Sequence, residues 1–209
     1  MSSKIIKAYV KFLLNEGERP KSVFSFAESL KMKEADFYNH FASFEALERS
    51  ILSEVFTEVK KNLEEDETYN NYTVREKFLS FFYLWFEQLK EYRSLINVLK
   101  DKHGIKPATP EFLKGVKHQF EEYTDQLVNL GIEKNEIIKR PYLSDKYSKA
   151  LWVQHMFLMK FWLEDTSNGF EKTDVAIEKA VNMAFDLMGQ SAFDSMLDFG
   201  KFLYQTKTA

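Results

Sequence analysis

The chain has 209 residues, of which 44% are hydrophobic and 16% aromatic, enough apolar material for a sizeable core. Its net charge of −3 excludes indiscriminate nucleic-acid binding through overall charge and leaves room only for a local basic patch. It contains no cysteine, which excludes disulfides, thiolate metal sites and a cysteine nucleophile.

The N-terminal stretch MSSKIIKAYVKFLLNEGERP lacks the unbroken apolar core of a signal peptide. No run of about 18 apolar residues is present to span a bilayer, so a cytoplasmic protein is expected. From Lys4 to Asn15, Ile5, Ala8, Tyr9, Phe12 and Leu13 share one helical face, and Gly17 follows as a stop signal. Ser22 is placed to cap a short helix carrying Val23, Phe26, Ala27 and Leu30. A second short helix is predicted from about Glu34 to His40. From Phe44 a longer one repeats Leu47, Ile51, Val55, Phe56 and Val59 before the polar run EEDETYNNYT.

A second part begins near Val74. Its segment FLSFFYLWFEQL, Phe78 to Leu89, is apolar nearly all round a helical wheel, which predicts burial on most sides. Thr109-Pro110 predicts a helix start with proline in the first position. Phe112, Leu113, Val116, Phe120, Tyr123, Leu127 and Leu130 align along the helix that follows. Ser144 is predicted to cap the next helix and Thr173 the one after it, which Gly189 ends. A last amphipathic helix is expected over Ala192 to Tyr204. Its charges, Asp194, Asp198 and Lys201, are not basic overall, so no stable membrane association is expected. No strand pattern competes with these periods. The chain reads as all-α, with about nine helices.

No nucleophile elbow, phosphate loop or dinucleotide fingerprint occurs. Of the four histidines, only His118 stands at helical spacing from a carboxylate, Glu121, and no Glu-x-x-His on another helix faces it. Neither an enzyme nor a cofactor is expected.

The succession SVFSFAESLKMKEADFYNHFASFEAL resembles the N-terminal helix-turn-helix of the TetR family of transcriptional regulators. The matching positions are Ser22-Val23, Ala27, Tyr38, His40-Phe41, Ser43, and Glu45 with Leu47. The resemblance covers about residues 4–60, and a second stretch, LWVQHMFLMKFWLEDTSNGFEKTD, is similar to the penultimate helix and turn of some members. It implies a three-helix DNA-binding domain over residues 1–48. A larger bundle over 49–209 would bind ligand and dimerise. DNA contacts then fall to Lys21, Ser22, Lys31, Lys33, Tyr38, Asn39 and His40. A cavity for a hydrophobic small-molecule effector is expected among Phe81, Phe82, Trp85, Phe120 and Met156. The homodimer interface is expected around Trp152, Phe157, Trp162, Ala180 and Ala184, with a pseudo-palindromic double-stranded DNA operator as partner.

The chain also departs from the family pattern. Lys31 stands where the family has glycine in the turn, and Lys33 stands where a Ser or Thr caps the recognition helix. Phe44 replaces the lysine that opens helix four and touches phosphate. Glu34 and Asp36 put carboxylates at a helix end expected to approach phosphates. Residues 1–50 carry eight Lys or Arg against seven Asp or Glu, a small excess for a groove-docking domain. A ligand-responsive repressor is the favoured reading. The alternative is a lipid- or hydrophobic small-molecule-binding protein on the same fold that has lost DNA binding.

Overall fold

A computed structural model of the chain describes residues 2–103 and 109–189. Among these residues there is no strand. The α-helices are α1 (Ser2–Glu16), α2 (Val23–Ser29), α3 (Glu34–Tyr38), α4 (Phe44–Glu65), α5 (Val74–Leu89), α6 (Arg93–His103), α7 (Lys114–Glu133), α8 (Tyr147–Glu164) and α9 (Glu171–Met188). The chain packs as two compact units, Met1–Asn62 with Leu84–Gln119 and Leu63–Tyr83 with Phe120–Ala209, and passes between them within α4, α5 and α7. No helix among the described residues is long and apolar enough to cross a membrane. The last helix predicted from the sequence, Ala192 to Tyr204, lies outside the described residues.

Local chemistry explains most of the boundaries. Gly17 ends α1 in the left-handed region (φ 70°), with its N–H on the Leu13 carbonyl at 2.9 Å, a conformation that costs glycine nothing. Ser22 caps α2, its hydroxyl accepting from the Ser25 N–H at 3.1 Å. The polar run that begins in the last turn of α4 is exposed except for half-buried Tyr72 and for Tyr69, which is buried in a short 3₁₀ turn.

Four details correct the sequence reading. Helix α6 was not predicted; its stripe of Leu95, Ile96 and Leu99 is short but fully buried, and it packs on α1. Pro110 precedes a 3₁₀ turn, Glu111–Leu113, and α7 proper starts at Lys114. Ser144 does not cap α8; its hydroxyl accepts the Arg140 backbone N–H at 2.9 Å. Thr173 lies inside α9, and Asp165 performs the capping instead.

That Asp165 site organises the α8–α9 turn. One carboxylate oxygen accepts from the Ser167 N–H and hydroxyl at 2.8 and 2.6 Å. The other accepts from the Thr173 N–H and hydroxyl at 2.9 and 2.7 Å. At the far end of α9, Arg140 donates to the carbonyls of Leu187, Met188 and Gly189 and to the Tyr147 hydroxyl. A guanidinium there satisfies orphan carbonyls and complements the negative helix end. Gly131 lets α7 meet the following loop, since a Cβ there would come within 2.7 Å of Ile137.

Burial alone would raise the Asp165 carboxyl, but the Ser167 and Thr173 hydrogen bonds outweigh it and hold the group at about 2. The folded value is depressed below the unfolded value of about 3.9. Its stabilisation is therefore complete above about pH 5 and is lost as pH falls through the unfolded value toward 2. Asp165→Asn should cost about 1 kcal/mol at pH 7. Thermal melts followed by circular dichroism should show the gap between parent and variant narrowing between pH 5 and pH 2.5.

Candidate nucleic-acid interface

The first unit is held by aromatic packing. Phe44 sits at its centre, stacked on Tyr9 at 5.2 Å and edge-on to Phe26 and Phe37 at 5.8 and 5.5 Å. Phe26 also meets Tyr9 and Phe37, and Phe41 closes the cluster against Phe37. Each such pair adds roughly 0.5–1.5 kcal/mol beyond area burial. The departure at Phe44 thus has a structural cause: the first residue of α4 points into the core, where a lysine's charge would be desolvated.

A buried ion pair locks the same helices. Glu48, 1% exposed, accepts from the Tyr9 hydroxyl at 2.6 Å and from Arg19 Nε at 2.8 Å. A second guanidinium nitrogen reaches its other oxygen, and Arg19 also pairs with Glu45. Burial, then the hydrogen bond to Glu48, push the Tyr9 hydroxyl well above its ordinary value, and Glu48 likewise raises Arg19. The Glu45 carboxyl is lowered, first by its own backbone N–H and the Ser43 hydroxyl. The sequence reading passed over Arg19 and Glu48. The available signal was a carboxylate within the buried stripe of Leu47, Ile51 and Leu52.

The turn between α2 and α3 shows what the glycine position requires. Lys31 has φ 55°, its N–H on the Glu28 carbonyl at 2.9 Å, and the Met32 N–H reaches Ala27 at 3.1 Å. These two bonds form a Schellman cap with lysine in the left-handed position. Lys33 makes no side-chain cap. Instead the Asp36 carboxylate folds back to accept the Lys33 N–H at 3.1 Å. Asp36 therefore has a structural task at the start of α3, whereas Glu34 is exposed.

Helices α2 and α3 bury Phe26, Ala27 and Phe37. Lys21, Ser22, Lys31, Lys33, Asn39 and His40 are exposed, as is Tyr38 at 51%. Phe41 is core. Phe24, 59% exposed on α2, adds an apolar ring that the stripe of Val23, Phe26, Ala27 and Leu30 does not single out.

In the second unit, the rings expected to line a cavity interlock. Phe81 meets Phe82 and Phe120 at 5.4 and 5.8 Å, and Phe82 meets Phe120 at 6.2 Å. His155 is enclosed by Phe82, Phe120 and Trp152, and burial pushes it down to about 3, so it is neutral at pH 7. Met156 is half-buried on α8. Trp85 belongs to the first unit, where it packs on Phe56.

Of the residues expected at a dimer interface, Trp152 and Trp162 are buried within the second unit, against Phe120 and Phe170. Phe157 is 56% exposed. It lines a groove of about 570 Å³ between α8 and α9 together with Val153, Ala180 and Met183. Ala184 lines a neighbouring groove of about 290 Å³. At the shared border lies Gln154, a residue the sequence reading did not mark.

Removing Glu48 would cost the Tyr9 and Arg19 hydrogen bonds, while Arg19 keeps Glu45 and partial contact with water. Glu48→Ala should therefore lower unfolding free energy by about 2 kcal/mol in urea titrations, and Tyr9→Phe by about 1 kcal/mol. Lys31→Gly should raise stability by up to about 1 kcal/mol by relieving the left-handed backbone.

The comparisons with known proteins agree with this architecture. The family model described as tetracyclin repressor-like, C-terminal domain matches residues 77–203. Comparison with curated sequences gave no match. Among solved structures, a proposed TetR family transcription regulator from Shewanella sp. PV-4 superposes with a TM-score of 0.59. The alignment covers 90% of this chain and 97% of that one, at 10% identity, a likeness of fold. With well over half of its length matched by the family model and an all-helical fold of the same kind, the chain belongs to the TetR family of transcription regulators.

Proposed function

We propose that the protein is a ligand-responsive repressor that acts in the cytoplasm as a homodimer and places α3 of each copy in successive major grooves of a pseudo-palindromic operator. One observation carries the reading. The segment from the start of α2 to the end of α3 keeps Lys21, Lys31, Lys33, Tyr38, Asn39 and His40 exposed, while Phe26, Phe37 and Phe41 face the aromatic core. Lysines and His40 would contact phosphates, and Asn39 and Tyr38 would reach phosphates or base edges. Ser22 would approach the backbone from the start of α2. Phe24 is suited to thymine methyls or sugar rings.

Phosphate neutralisation is sparse, because Phe44 is core and residues 1–50 carry an excess of one positive charge. Affinity then depends on few contacts, and direct readout carries a larger share of specificity. A hydrophobic effector bound in the second unit would act through α4, whose first turns are tied to Arg19 and Tyr9. Differential affinity for two α4 positions would couple effector to operator. The dimer would form through the α8/α9 face, where Phe157, Val153 and Met183 are exposed.

Binding of the purified protein to DNA upstream of its own gene, measured across a salt series, tests the interface. The parent should show salt-dependent affinity. Lys33→Glu with His40→Ala should bind more weakly, with a slope of log affinity against log salt shallower by about 1. Binding unchanged by the double variant would move the DNA contact off α3. Absence of binding to genomic operator candidates at low salt would favour the lipid- or small-molecule-binding alternative. Phe157→Asp should convert the dimer to monomer in sedimentation velocity, since a carboxylate cannot be desolvated against an apolar partner face.

A further inference from the structure

Helix α7 runs beside α4 through three contacts in one register. Glu111, in the turn before α7, pairs with Arg49. Gly115 lies against Ser53. The Gln119 amide donates to the Thr57 hydroxyl at 2.9 Å. Each step is four residues on both sides, so two i, i+4 rows meet in parallel over about 12 Å. All of these residues belong to the first unit. A Cβ on Gly115 would collide with the Ser53 hydroxyl and stand 3.5 Å from the Ser53 Cβ, so glycine is what lets the two backbones come this close.

The α4 side of this seam is softened. The Ser53 hydroxyl donates to the Arg49 carbonyl at 2.8 Å, and the Thr57 hydroxyl to the Ser53 carbonyl at 3.0 Å. Such bonding back to the carbonyl four residues earlier competes with the helical N–H bonds and bends helices. The seam is also weak. Arg49 and Glu111 keep 38% and 31% of their side chains exposed, and Glu111 is shared with Lys114 at 2.6 Å. The apolar face of α4 packs elsewhere, with Phe56 on Trp85, so the seam adds direction more than adhesion. At both ends the attachments are firm. Before the seam, α4 is bound through Glu48 to Tyr9 and Arg19, and through Phe44 to Phe26 and Phe37. Beyond Gln119 the same α7 belongs to the second unit, where Phe120 and Tyr123 pack on Phe81.

We propose that Glu111, Gly115 and Gln119 are positioning residues, which hold a bendable segment of α4 in the orientation that presents α2 and α3 to DNA. The inference rests on the repressor reading for its consequence at the operator. A displacement of α7 along its axis misaligns all three contacts together, because they share one register. The seam then has two arrangements, engaged and parted, and a second unit that favours one of them biases α4 accordingly.

Two variants and two readouts test this. Glu111→Ala with Gln119→Ala removes both polar contacts. Ser53→Cys with Gly115→Cys puts thiols on Cβ atoms whose 3.5 Å separation suits a disulfide, in a chain with no other cysteine. Oxidation clamps the seam; in the reduced form the unbonded side chain at 115 pushes α7 off α4. The first readout needs no DNA. Spin labels on Glu28→Cys and His118→Cys, both exposed sites, report the separation of α2 from α7 by double electron–electron resonance. The parent should give one narrow distance distribution and the double-alanine variant a broader or displaced one; an unchanged distribution would overturn the proposal. The second readout is affinity for DNA upstream of the gene at fixed salt. It should fall about fivefold or more in the double-alanine variant. The oxidised clamp should match the parent and its reduced form should bind more weakly. A displaced distribution with unaltered affinity, or a clamp whose affinity ignores its redox state, sinks the idea. If the parent binds no DNA while the distribution still shifts, the repressor reading fails and the hold on α4 stands.

Discussion

The Arg19–Glu48 pair, built on a buried carboxylate, is the constraint on which the first unit depends. It joins the loop after α1 to the second turn of α4, and the Tyr9 hydroxyl ties α1 to the same carboxylate. A charge pair in this setting adds little net stability over apolar packing of the same volume, but it enforces one geometry. An ion pair tolerates neither rotation of α4 nor sliding of α1 without leaving a charge desolvated. The pair thus fixes how α4 lies against α1, and the aromatic cluster around Phe44 seats α2 and α3 on that frame through Phe26 and Phe37.

Seen from that core, the departures from the family pattern have separate physical meanings. Phe44 exchanges a polar surface position for a ring in the middle of the packing. Lys31 keeps the backbone shape of a glycine at a conformational cost and leaves its amine exposed beside Lys33. Asp36 caps the start of α3 with its carboxylate because Lys33 cannot. Only Glu34 remains as an acidic group whose exposure is not explained by local structure. The motif is thus intact as a fold, with fewer positive charges at its edge.

The second unit is built on the opposite economy of charge. Phe81, Phe82, Phe120, Tyr123 and Trp152 interlock around a neutral His155, while Asp165 and Arg140 hold the two termini of α9. Its outward apolar surface is concentrated on α8 and α9. The two tryptophans of α8 and its Phe157 illustrate the division. They share one helix, yet Trp152 and Trp162 face inward and Phe157 faces out, so aromatic content alone does not tell core from surface.

Helical periodicity, the Ser22 cap, the Gly17 stop and the helix-turn-helix spacing were legible from the residues, because each is a local signal set by backbone geometry or by neighbours within one or two turns. The family followed from the same spacing. Helix α6 was not legible, since a stripe of three apolar residues acquires meaning only once α1 covers it. Nor was the Arg140 cap, whose carbonyl acceptors lie 47 to 49 residues away along the chain, or the Asp165 cap, which spans the turn to Thr173 eight residues on. The roles of Arg19, Glu48 and Phe44 likewise came only from the tertiary structure. The sequence determined which residues are apolar and where helices begin. Packing alone decided which charges are buried together and which rings are enclosed.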